Sequence, residues 1–187
     1  MGFFKQIKQS LDFIRAMKAE MIRQQEMRQT YVSISPAQMV ALPNEELFAA
    51  ATARIDAIAD GFDDVMEGFQ AMSEHQRLVY ALNYWQMEVN NGGLCQFFVN
   101  SSRCLAPYIG QYLRSVGADN HADLYEGFIR RNGIDTHDLS SFQISRVKDF
   151  EAQTQRYPFD TFDDAFYELP GLEELLTAYI RTHADAF

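Results

Sequence analysis

Between residues 48 and 72 the apolar side chains step by three and four without a miss: Phe48, Ala51, Ile55, Ile58, Phe62, Val65, Phe69 and Met72. Strands alternate with a period of two, so this run dictates a helix with one buried face. The same period continues through Leu78, Leu82, Trp85 and Val89. Two helix starts are legible beside these seams. Ser35-Pro36 with Gln38, and Ser73 with Gln76, each place a hydroxyl three residues before an amide, the pattern of a capping box. Further helices are expected near 106–116, 120–131, 143–155 and 172–183. Gly117 and Gly133 stand just past two of them, and a start at Thr161 would have Asp164 as its capping partner. No stretch alternates like a strand. The predicted class is all-α.

Residues 3–29 form a separate pattern. Phe4, Ile7, Leu11, Ile14 and Met21 recur at helical spacing with Lys and Arg between them. This predicts a long amphipathic N-terminal helix over 1–30, followed by a single helical domain over 31–187. The helix is expected to pack on the domain or on a second copy, with a membrane surface as the alternative. No apolar run reaches the ~20 residues of a membrane span. Charged residues interrupt residues 1–24, so no secretory signal is read there. A cytoplasmic protein with free thiols at Cys95 and Cys104 is expected.

Charge divides the chain unevenly. Residues 1–30 hold six Lys/Arg and three Asp/Glu, whereas residues 31–187 hold ten and twenty-three. A body with that balance repels nucleic acid and attracts basic partners. On the helix predicted for 48–72, Asp56, Asp60, Asp63, Asp64 and Glu67 all fall opposite the apolar seam. No Lys or Arg lies between Arg54 and Arg77. Asp160, Asp163, Asp164, Glu168, Glu173 and Glu174 repeat the bias near the C-terminus. A solubilising surface is one reading of these acids, and a docking face for a basic protein is the other.

Chemistry-bearing motifs are sparse. His75, His121, His137 and His183 are scattered and form no HExxH, the cysteines form no CxxC, and no Gly-rich phosphate loop or nucleophile elbow occurs. No catalytic residue, metal site or cofactor is assigned. The unusual stretch is "VNNGGLCQFFVNSS" at 89–102, where paired glycines interrupt a helical pattern. Its residues suit a joint between two helices. Gly92 and Gly93 turn the chain, Asn91, Gln96 and Asn100 cap open backbone groups, and Phe97 and Phe98 anchor the next helix. A ligand pocket beside this joint is the alternative.

Glu88, Asn90, Asn91-Gly92-Gly93, Gln96, Phe97-Phe98 and Asn100-Ser101-Ser102, with Val116-Gly117-Ala118 and "FDTFDDAFYEL", resemble a bacterial family of double-stranded-DNA-mimic proteins. The resemblance spans roughly 44–183 and departs at Arg103, where relatives are expected to have glycine. It implies an all-helical fold, often dimeric, without known enzymatic activity. Its typifying member presents carboxylates in place of phosphates to a helix-turn-helix repressor. The function expected here is therefore an acidic binding protein for a basic, DNA-binding partner. The alternatives are a small-molecule binder or enzyme using a pocket at the joint, and an immunity or antitoxin-like protein.

Overall fold

The computed structural model describes residues 2–187, with the side chains of residues 2–12, 16, 24 and 147 left undescribed. Among the described residues there is no strand, and ten α-helices carry the chain, as expected for the all-α class. They are α1 (Gly2–Ser33), α2 (Pro36–Ala41), α3 (Asn44–Ala59), α4 (Val65–Ala71), α5 (Glu74–Val99), α6 (Ala106–Ser115), α7 (Asp119–Asn132), α8 (Phe150–Thr154), α9 (Phe159–Tyr167) and α10 (Glu173–Thr182). Short 3-10 turns at Ser101–Leu105, Ser140–Phe142, Val147–Asp149 and Ala184–Ala186 connect or end them.

α5 is the axis of the molecule. Leu78, Leu82, Trp85 and Val89 are at most 3 % exposed, and α3, α4, α6, α9 and α10 all pack on it. Burial of each such large side chain contributes about 1.5–3 kcal/mol relative to exposure. Trp85 is met edge-on by Tyr125, Phe166 and His121. Both capping boxes form: Ser35 accepts from the Gln38 N–H and Ser73 from the Gln76 N–H, with each amide oxygen returned to the cap's own N–H.

The long seam is not one helix. α3 stops at Ala59, and the Asp64 carboxylate accepts the N–H groups of Met66 and Glu67 at 2.9 and 3.1 Å to start α4. An aspartate that bonds the backbone locally competes with a continuing helix, and here it wins. Phe62 falls in the break and lies 42 % exposed. α4 folds back so closely that a Cβ on Gly68 would sit 3.3 Å from the Ala59 Cα. The helix expected over 143–155 is reduced to a 3-10 turn and the five residues of α8. α9 starts at Phe159 behind Pro158, whose fixed φ suits a helix start. Asp164 therefore lies inside α9 and is not a capping partner for Thr161.

α1 runs to Ser33, and its C-terminal part lies on α3. Arg28 pairs with Asp60 at 2.6 Å, and Arg54 donates to the Val32 and Ile34 carbonyls at 3.0 and 2.6 Å. Farther towards the N-terminus, Phe13, Ile14, Met17 and Met21 are 66, 59, 50 and 67 % exposed. Phe4, Ile7 and Leu11 lie outside the described side chains.

Candidate functional site

The paired glycines do make a joint. Helical geometry fails inside α5 at Gly92 (φ −162°, ψ 28°) and Gly93 (φ 77°, ψ 175°). The Gly93 conformation is one that side chains rarely adopt. A Cβ there would also meet the Asp163 Oδ2 at 2.1 Å. A Cβ on Gly92 would meet the Gln96 Oε1 at the same distance.

The joint is held from two sides. On one side, the Glu88 carboxylate gathers three donors: Gln96 Nε2 at 2.6 Å, Asn100 Nδ2 at 2.8 Å and Ser102 Oγ at 3.1 Å. Residues eight apart on a straight helix are separated by about 12 Å along the axis, so the bend is what brings Gln96 to Glu88. On the other side, α9 bridges the break. Asp163 Oδ1 accepts the Leu94 N–H at 2.8 Å, and the Tyr167 hydroxyl donates to the Val89 carbonyl at 3.0 Å. Phe97 and Phe98 are fully buried beneath the joint.

This corrects two expectations. Gln96 and Asn100 direct their amides to Glu88 and do not cap the backbone, while Asn91 and Asn90 are exposed. The cap on the second half of α5 is Asp163, 69 residues away in sequence. Burial raises the Asp163 carboxyl above the ordinary carboxylate range, offset in part by the Leu94 N–H. No local signal could have revealed it, because the donor and acceptor meet only when α9 packs on α5.

The other candidate acids divide by environment. Asp56, Asp60, Asp63, Asp64 and Glu67 do not share one helix face. Asp56 is half-buried on α3, Asp60 pairs with Arg28, Asp64 caps α4, and Asp63 and Glu67 face solvent. Burial is the first cause of a raised Asp56 carboxyl. Asp160 and Asp164 on α9 and Glu168 just past its end recur every fourth residue and are exposed, and Glu173 and Glu174 are exposed at the start of α10. Among the described residues none of these last five has a cationic partner.

The arginines explain why. Arg103 donates to the Val99 and Asn100 carbonyls at 2.9 and 3.0 Å, closing the C-terminal end of α5. Arg77 does the same for Phe69 and Gln70 at the end of α4. Arg181 donates to the Val40 and Leu42 carbonyls at 2.7 Å at the C-terminal end of α2, and Arg54 serves the end of α1. Arg156 donates to the Ser141 carbonyl and lies over the rings of Phe142 and Tyr157. Cations favour the negative ends of helices and their open carbonyls. These five arginines thus direct their hydrogen bonds to backbone carbonyls, and among the described residues none of them pairs with a carboxylate of α9 or α10. Other arginines meet acids instead: Arg114 gathers Asp119, Asp123 and Glu126 at 3.3, 2.6 and 2.8 Å, Arg28 pairs with Asp60 and Arg146 with Asp149.

Sequence reading also missed a ring cluster. His75 and His183 stack at 4.2 Å, and the His75 Nδ1 lies 2.6 Å from the Tyr179 hydroxyl. In the loop at 135–140, Asp135 accepts the His137 N–H and Asp138 the Ser140 N–H, so these carboxylates shape turns. Cys95 and Cys104 are free thiols; burial pushes Cys95 up to about 12. A cleft of about 1000 Å³ lies between α10 and the start of α3, and another of about 480 Å³ between Arg103-Cys104 and the 136–143 loop. No residue of 88–100 lines either cleft.

The family model for DMP19-like proteins matches residues 70–183, more than half of the chain. The chain belongs to the DMP19-like family. The match takes in the joint, the Glu88 cluster, α9 and all of α10. It bears out the resemblance to the DNA-mimic proteins, over a span that begins at 70 and not near 44. Neither the curated proteins nor the solved structures include a significant match. No described helix is long and apolar enough to cross a membrane.

Proposed function

We propose that this chain is a cytoplasmic DNA-mimic protein that occupies the DNA-binding surface of a basic protein. The observation that carries the reading is the exposed row of Asp160 and Asp164 on α9 and Glu168 just past its end, without cationic partners among the described residues, inside a chain of the DMP19-like family. Carboxylates four residues apart advance by about 6 Å along a helix. Every second phosphate of a DNA strand advances by about 6.8 Å, so a basic groove built for phosphates meets a similar charge spacing. Glu173, Glu174, Asp63 and Glu67 extend the negative field. Two copies are proposed to associate through the exposed Phe13, Ile14, Met17 and Met21 of α1, since an apolar stripe of that kind favours self-association.

Affinity capture followed by competition tests the reading. The immobilised protein is expected to retain a DNA-binding protein, duplex DNA should displace it, and the soluble protein should block that partner's own DNA binding. Capture of a toxin or nuclease that duplex DNA fails to displace would favour the immunity-like reading and overturn this one.

A further inference from the structure

We infer that α1 pairs with α1 of a second copy in antiparallel register, with the two-fold axis beside Met17. The inference rests on the proposal that α1 joins two copies, and it names how they are arranged. Phe13, Ile14, Met17, Met21 and Ile22 are between 48 and 67 % exposed, and the group centres on Met17. Ile14, Met17 and Met21 lie in heptad register with Arg28 and Tyr31, the residues that α1 turns to α3. The seam that packs on α3 therefore runs on, uncovered, towards the N-terminus. A helix in water draws most of its stability from packing such a face.

Charge sets the direction. Lys5 and Lys8 stand in the first turns of α1. Around its last turns the cations are committed: Arg28 to Asp60, Arg23 to Glu20, and Arg54 to the Val32 and Ile34 carbonyls. Glu26 and Glu46 are exposed there without a cationic partner among the described residues, with the Tyr31 hydroxyl 3.5 Å from the Glu46 carboxylate. α1 is one continuous helix from Gly2 to Ser33, and Lys8 stands about 27 Å from Glu26 along its axis. It cannot bring its own first turns back to these acids, whereas a second copy turned end for end can. With the axis beside Met17, Ile14 lies level with Met21 of the second copy, and Lys8 lies level with its Glu26 and Met27. The midpoint of the apolar stripe and the match of charge thus give the same register. Parallel pairing would set Lys5 against Lys5 and Lys8 against Lys8. An anionic membrane, the other surface such a helix could enter, is repelled by the acid excess of residues 31–187.

Cysteine cross-linking and sedimentation equilibrium test the arrangement, with the wild type and its Cys95 and Cys104 as background. M17C alone, and I14C mixed with M21C, are expected to form intermolecular disulfides under mild oxidation, whereas I14C alone should form few. K5E/K8E should weaken the dimer about fivefold at low salt, and E26K/E46K likewise. The two sets combined in one chain should restore it, with helix content unchanged throughout. D160N/D164N on α9 should change it by less than twofold. I14C linking to itself as readily as to M21C, a combined charge variant no tighter than its parents, or an equal loss in the α9 variant would overturn the inference. So would a monomeric protein that binds phosphatidylserine vesicles through α1. A monomer at every concentration, with α1 helical, would sink the self-association reading as well. A dimer dissolved by I14E/M21E, in which I14C links to itself, would sink only the antiparallel register. Neither result bears on displacement of the captured partner by duplex DNA, the test of the mimic reading.

Discussion

Asp163 reads in sequence as one acid in a run, yet its side chain turns inward to cap the broken helix at Leu94. Asp163→Ala would leave that N–H without its partner, and a loss of about 1–3 kcal/mol is expected in denaturant unfolding. Asp163→Asn keeps the acceptor and removes a charge that burial disfavours, so it should match or exceed the wild type; equal losses in both variants would refute the capping role. Gly93→Ala should cost about 1–3 kcal/mol through its positive φ, and more through contact with Asp163. His121 carries a pH dependence of definite sign. Burial, at 3 % exposure, is the first cause of its lowered pKa, with the Pro170 carbonyl opposing. Below about 6.5 the unfolded chain therefore binds a proton that the fold refuses. The stability His121 contributes is present above that pH and is lost as pH falls. Thermal midpoints between pH 7 and 5 should decline more steeply for the wild type than for H121F, and parallel curves would exclude this origin.

Among the elements, α1 stands apart. Arg28, Tyr31 and the Val32 and Ile34 carbonyls tie its last turns to α3 and the segment after it, while Phe13, Ile14, Met17, Met21 and Ile22 are exposed. I14E/M21E should leave helix content and thermal midpoint nearly unchanged. If α1 mediates the proposed self-association, light scattering at tens of micromolar should show a lower mass for the variant than for the wild type. Identical masses would remove α1 from any interface. Helix identity was legible because periodicity and capping boxes are local: the Ser35 and Ser73 caps form as their spacing demands. The break at 60–64 was not, since the apolar steps run on through Phe62 and only the competition between Asp64 and the helical hydrogen bonds ends the pattern.

For the whole molecule, the −10 charge matters through its distribution. D160N/D164N/E168Q should fold normally, because these carboxylates have no described intramolecular partner, and should bind the basic partner more weakly with a shallower dependence on salt. Unchanged affinity and salt slope would place docking elsewhere. Asp60 and Asp64 are poor test sites, since one pairs with Arg28 and the other caps α4. The sequence by itself determined the helical class, most helix starts and stops, the glycine joint and the excess of acid, all properties of neighbours within a turn or two or of a simple sum. Tertiary structure alone decided which acids face solvent. It set Asp163 against Leu94, gathered Gln96, Asn100 and Ser102 on Glu88, and turned Arg54 and Arg181 onto carbonyls of distant helices. Those choices depend on desolvation and hydrogen-bond geometry between segments far apart in the chain, and such distances exist only once the helices have packed.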